Sequence, residues 1–225
     1  MKIVSIQMTP SHISCTLITR TQDRQLHILA YETTPFTNLE CEKLVIYNHA
    51  RLRTIINAFI QKHHALKAYA TCALTGPNIF EGMILQQTAH PTLQDFSIVR
   101  SNKYVWDYQF LYPHENGSSM FYVCGIPHTL LFQYQLLMQS LDLRISRITT
   151  RRMALLHAYE YAYGAAYRPA QLGLDMLRHN NMIEELFTRD LFYRLVQISP
   201  EVAGISPQAI PDMLTACGLY VGENQ

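Results

Sequence analysis

Glycine is scarce in this chain, at nine residues in 225, and that argues against a fold organised by glycine loops. Neither G-x-x-x-x-G-K-[ST] nor G-x-G-x-x-G occurs, so the two common phosphate-wrapping loops are missing. The first apolar stretch, "IVSIQM" at residues 3–8, holds no acidic residue. A two-metal nuclease built on a similar strand meander needs an aspartate in the middle of that strand, so its chemistry is not expected. The chain also lacks C-x-x-C, H-E-x-x-H and any pair of histidines at i, i+4, which leaves its ten histidines without a metal-binding pattern. No G-x-S-x-G elbow occurs. An excess of charge of one sign is absent too. The formal net charge of +1 gives no sign of nucleic-acid binding through bulk electrostatics. No apolar run approaches the roughly 18 residues of a membrane span. "MKIVSIQMTP" is too short and too broken to be expected to act as a signal peptide.

Five cysteines are present, Cys15, Cys41, Cys72, Cys124 and Cys217. They are odd in number, far apart and set in apolar surroundings. Reduced, buried thiols in a cytoplasmic protein fit this better than a disulfide framework. At 225 residues with 48% hydrophobic content, one large or two small domains can bury a sizeable core.

Alternation and β-branching predict three strands over residues 3–8, 13–19 and 26–31, with Val4, Ile6 and Met8 on one face. Consecutive strands of this kind pair as an antiparallel meander. Leu52, Ile55, Ile56, Phe59 and Ile60 recur at helix spacing, and Lys62, His63 and His64 close that helix where cations suit its dipole. His63 and His64 read as a solvated helix end. "AYATCALTG" is an apolar run stopped by Gly76-Pro77 and reads as a buried strand. Residues 78–100 are a mixed connection.

Asn116-Gly117 marks a turn between two further strands. The first of them places Tyr104, Trp106, Tyr108, Phe110 and Tyr112 on one face. That face is expected to pack on the two helices that follow, or to serve a partner in part. A helix with Leu130, Leu131, Tyr134, Leu137, Met138 and Leu141 on one stripe comes next. A strand, "LRISRIT", and a helix, "RRMALLHAYEYAYGAA", follow it. For residues 171–198 two or three strands are preferred over a long helix, with Asn180-Asn181 and Arg189-Asp190 near the turns. A last short helix is expected with Ser206 as cap, Pro207 at its first position and Gly218 beyond its end. Arg144, Arg147, Arg151 and Arg152 cluster in sequence; solvated charges are the plain reading and an anionic partner the alternative. Ser118-Ser119 reads as turn chemistry.

The order "YATCALTGPNIFEGMILQ", "YVWDYQFLYP", "FYVCGIP", "QSLDL", "RISRIT", "MALLHAY" resembles the PilM family of type IV pilus assembly proteins. That family is akin to the cell-division protein FtsA and to GspL-type cytoplasmic domains of type II secretion. The resemblance spans roughly residues 1–165 and includes "WDYQ" (Trp106 to Gln109). It implies an α/β fold of actin-like (ribonuclease H-like) type. Its core would comprise residues 1–80 and 150–225, with a small FtsA-type inserted subdomain at 85–148 and a reduced second lobe.

In such proteins the first hairpin wraps the phosphates of ATP. That role needs an acidic residue on the strand and a glycine at the turn, where this chain has Gln7 and Thr9. "LGLDML" (Leu172 to Leu177) is similar to the second phosphate strand, keeping Asp175 but carrying Leu177 in place of glycine. The resemblance therefore implies a pseudo-ATPase: no enzyme activity, no catalytic residue, no metal and no cofactor. It implies a cytoplasmic scaffold at the inner-membrane face of a pilus or type II secretion platform, binding the tail of a single-span PilN-like protein. The groove between core sheet and insert is the place expected for that tail, with no individual contact residue assigned. Membrane association would come only through partners, and a homo-oligomer stays open. The alternative is a nucleotide-binding actin-like ATPase with degenerate phosphate loops.

Overall fold

The computed structural model describes residues 2–21, 25–37, 41–66, 68–88, 90–100, 102–113, 117–141, 143–163, 191–202 and 206–222. Its centre is a six-stranded sheet. The first three strands, β1 (Lys2–Met8), β2 (His12–Arg20) and β3 (Leu26–Pro35), form the expected antiparallel meander, with Val4 opposite Leu17 and Leu17 opposite Ala30. A two-stranded hairpin, β4 (Cys41–Glu42) and β5 (Val45–Ile46), leads into α1 (His49–Lys62) and then β6 (Tyr69–Leu74). Strand β6 lies parallel to β1, as a crossover helix requires.

Between β6 and the next helix the chain leaves the central sheet. Strands β7 (Phe80–Gln86), β8 (Tyr104–Pro113) and β9 (Ser119–Pro127) build a separate three-stranded sheet in the order β7-β9-β8. The chain then returns through α2 (His128–Gln139), β10 (Arg144–Thr150) and α3 (Arg151–Tyr163). A helical turn at 191–195, β11 (Val196–Ile198) and α4 (Ile210–Gly222) follow. The central order is β10-β6-β1-β2-β3-β11. The stretch 85–148, expected as one inserted subdomain, is thus divided. Only β7 to β9 form the second sheet. Helix α2 buries its stripe on the central sheet and β10 pairs with β6, because those apolar residues find their partners there.

Period-2 alternation decides what each face of β1 meets. Val4, Ile6 and Met8 join α1 and α2 through Leu52, Ile56, Phe59, Tyr134 and Leu137. Each large side chain buried there stabilises by roughly 1.5–3 kcal/mol. Asn48 caps α1, its side chain accepting from Arg51 N–H at 3.0 Å. His63 is not the solvated end expected of it: it packs on Phe59 and bonds Glu32 at 2.7 Å. On the opposite face β1 offers Ile3, Ser5 and Gln7 to α3 and α4. Ser5 is small enough to bond Thr71 at 2.9 Å beneath α4. Nearly every residue of α4 is buried, the pattern of a helix covered all round.

Further expectations change. Gly218 lies inside α4, not beyond its end. A Cβ there would sit 1.6 Å from the Ala154 carbonyl oxygen, so glycine is needed for the close crossing of α3 and α4. The aromatic face of β8 is covered by the short 3-10 turns at Leu93–Asp95 and Ser97–Arg100, not by the helices that follow. Phe96 meets Phe121 edge-on at 5.7 Å and packs with Trp106 and Tyr108. A bulge after Phe110 turns Tyr112 to the other face, where it joins Tyr122, Cys124 and Met153 of α3. Residues 191–195 are helical where a strand was expected, and only Val196–Ile198 is extended. Residues 164–190, including Asn180-Asn181 and Arg189-Asp190, lie outside the described residues. All five cysteines are free and buried.

The β4–β5 turn is made by Lys43 (φ 49°) and Leu44 (φ 71°), both left-handed without glycine. Leu44 is held by burial against Gly76 and by Tyr134 Oη donating to its carbonyl at 3.0 Å. Lys43 is exposed; Asn78 Nδ2 donates to its carbonyl at 2.8 Å, but its side chain is not held by burial. A non-glycine residue in this region costs about 1–2 kcal/mol. Lys43→Gly is therefore expected to raise Tm by about 2–4 °C in a thermal melt, and Lys43→Val to lower it.

Candidate functional site

The β1–β2 turn, Thr9-Pro10-Ser11-His12, stands where a phosphate-wrapping loop would need free backbone donors. Here they are consumed internally. Thr9 N–H donates to the His12 carbonyl at 3.1 Å, and Pro10 has no N–H. Ser11 N–H and His12 N–H both donate to Thr9 Oγ1, at 3.3 and 3.1 Å. The threonine that replaces the expected glycine thus serves as the turn's own acceptor, a local hydroxyl bond typical of such turns.

Gln7 stands where the acidic residue of the first strand was sought. It is buried, and its Nε2 donates to Asp212 Oδ1 at 2.8 Å. Asp212 comes from the first turn of α4, 205 residues away in sequence. Its other oxygen, Oδ2, receives the Tyr31 hydroxyl at 3.1 Å and His12 Nε2 at 3.3 Å. Arg151, the first residue of α3, stands 3.8 Å from Oδ1. Because a carboxylate only accepts, the His12 Nε2 that meets Asp212 bears a proton, while Nδ1 lies 2.9 Å from the Thr9 hydroxyl. Burial alone would raise the Asp212 pKa. The His12 hydrogen bond, the charges of Arg151 and His12, and the Tyr31 hydroxyl outweigh burial, and the pKa lies below the ordinary carboxylate value. Both oxygens are engaged, so the carboxylate has little left to offer a cation. Among the described residues no three His, Cys, Asp or Glu side chains gather as a metal site. A pocket of about 610 Å³, whose lining includes the His12, Tyr31 and Arg151 donors and the Glu32 and Asp212 carboxylates, opens beside the cluster.

A second concavity, of about 450 Å³, lies between the β4–β5 hairpin, α2 and the start of β8. Val45 of β5 forms one wall. Thr129, Leu130 and Gln133 on α2 form the floor, and Tyr104 at the start of β8 closes the far side. Its lining is uncharged. Gln133 Oε1 accepts from Ile46 N–H at 3.2 Å, which places a side-chain amide along the outer edge of β5.

No family model and no curated protein sequence matches this chain. Among solved structures, a chain of a PilM–PilN type IV pilus biogenesis complex superposes with a TM-score of 0.57 at 14% identity. The match covers 72% of this chain and 51% of that one. The fold is PilM-like. At this identity the likeness is one of fold, and this chain spans about half the length of the PilM–PilN chain it matches. Two weaker matches carry no argument. The cytoplasmic domain of EpsL, from the type II secretion system of Vibrio cholerae, gives 0.41 at 9% identity over 68% of this chain and 57% of its own. Thermus thermophilus RuvC gives 0.43 at 9% identity over 98% and 93%.

Within this PilM-like fold the arginine cluster disperses. Arg147 donates to the Gly222 carbonyl at 2.7 Å and faces Asp107 at 3.9 Å. Arg152 pairs with Glu81 at 3.6 Å, which ties the second sheet to α3. Arg151 goes to Asp212, and Arg144 is exposed at the sheet edge. Asp175 and Leu177 lie outside the described residues. Sequence reasoning singled out Gln7 and Thr9 but missed Asp212, His12 and Tyr31, whose only local sign is an acidic residue in the first turn of a helix.

Proposed function

We propose that this protein is a cytoplasmic scaffold of a type IV pilus or type II secretion inner-membrane platform. In this reading it grips the extended tail of a single-span PilN-like membrane protein in the groove between the β4–β5 hairpin, α2 and the start of β8, and it turns over no nucleotide. The observation that carries the second part is the closed β1–β2 turn. Every N–H from Thr9 to His12 is either absent or already bonded, and the nearby carboxylate is saturated by its own chain. The groove supports the first part: it is uncharged, is walled by a short strand edge and matches the needs of an extended segment, which gains affinity from main-chain bonds and specificity from side-chain pockets.

The test is a pull-down with the cytoplasmic N-terminal tails of bitopic membrane proteins from the same cell, with and without Mg-ATP. Capture indifferent to the nucleotide is the expected result. Thr129→Arg, an exposed change in the groove floor, is expected to weaken capture by at least about tenfold while leaving Tm unchanged. Capture that requires Mg-ATP, or a nucleotide-induced rise in Tm approaching the ~2.7 kcal/mol of a ligand at 100 times its Kd, marks a working ATPase instead.

A further inference from the structure

Four side chains from four separate elements converge on the Asp212 carboxylate: Gln7 of β1, His12 of β2, Tyr31 of β3 and Arg151 of α3. Their arrangement differs from that of an ordinary helix cap. A capping carboxylate bonds the free N–H groups of its own helix. Asp212 bonds the sheet and a neighbouring helix, and none of its bonds is to α4 backbone among the described residues. The donors also suit an oxyanion in general. They comprise a guanidinium, an imidazole N–H, a phenol and an amide, divided between two oxygens. Three of them, Gln7, His12 and Tyr31, are built into strands of the central sheet, and Arg151 opens α3, which packs on α4. The pocket beside them lets solvent reach His12, Tyr31 and Arg151.

We propose that this cradle is an oxyanion site whose resident ligand is the chain's own Asp212 carboxylate, so that the first turn of α4 is a tethered plug. With the plug withdrawn, the site takes a small phosphate or carboxylate group. The inference goes beyond the scaffold reading and does not depend on which tail the groove holds.

Thermal melts of the full chain in chloride buffer, at constant ionic strength, test it. Inorganic phosphate and acetate are titrated separately into the wild type, Asp212→Ala and the double variant Asp212→Ala with Arg151→Met. Phosphate stabilises folded proteins in general by exclusion from their surface, so the wild-type slope is the baseline. Asp212→Ala is expected to melt lower in chloride. It then gains about 2–4 °C beyond that baseline once the anion exceeds its Kd several-fold, with saturation. The double variant is expected to show no excess gain. A gain with phosphate alone identifies a phosphoryl site; a gain with acetate alone identifies a carboxylate site.

No excess gain in Asp212→Ala with either anion overturns the proposal, as does an equal gain without Arg151. Should Asp212→Ala not fold, Asp212→Asn serves, with the His12 ring nitrogens followed by NMR. A phosphate- or acetate-dependent shift in that variant and not in the wild type supports the plug, and its absence sinks it.

Discussion

Replacing Gly218 by alanine lowers Tm by about 6–12 °C, the equivalent of ~3 kcal/mol in a chain of this size. Local propensity points the other way, since alanine inside a helix is favoured over glycine by about 1 kcal/mol. The crossing decides the sign. The added methyl would meet the Ala154 carbonyl oxygen at 1.6 Å and its carbonyl carbon at 2.4 Å. Those are backbone atoms of α3, and they cannot move without shifting Met153 and Ala158 out of their own packing. Shortening the facing side chain gives no relief, so Ala154→Gly is not expected to rescue the variant. A denaturation midpoint within about 2 °C of the parent would mean that α3 and α4 are not in contact at this depth.

The second large effect lies at Asp212. Asp212→Leu leaves Arg151, His12, Tyr31 and Gln7 without their common acceptor, and breaking a buried charge pair in this way costs about 3 kcal/mol or more at neutral pH. Asp212→Asn, which retains an acceptor oxygen but no charge, is expected to lose less. Acid titration checks the same interaction in the parent. The Asp212 pKa is lowered by folding. The stability from its charge is therefore fully present above the unfolded carboxylate pKa, near ~4, and is lost as pH falls through the lowered folded value. Urea midpoints of parent and Asp212→Asn should converge below that window and diverge above it. Parallel curves across the window would exclude this carboxylate as the origin.

Much of the fold was legible in the sequence because it depends on short-range pattern. The alternation at residues 3–8 and the β-branched run at 13–19 pointed to the meander. The 3.6-residue spacing of Leu52 to Ile60 and of Leu130 to Leu141 gave two helices. What stayed hidden depends on distance. Asp212 meets Gln7, His12 and Tyr31 across 205, 200 and 181 residues, and no local spacing encodes that meeting. Gly218 looked like a helix stop because its reason for being glycine sits on another helix. Tyr112 shared the parity of Trp106 and Tyr108, and only the bulge after Phe110 removed it from their face. The turn at Thr9 was seen to lack a glycine. That its hydroxyl would also take up the remaining backbone donors required coordinates.

The last strand of the central sheet, β11, pairs with β3, with Val196 opposite Leu26, and α4 seals the face behind β1. A chain emerging from the ribosome can therefore assemble its first five strands early yet cannot finish its interior until residues 196–222 are available. During that interval β3 offers an open edge and Ile3, Ile18, Leu26 and Ile28 face water, conditions that invite aggregation. Docking of β11 and α4 is thus the step that closes both the open edge and the apolar face.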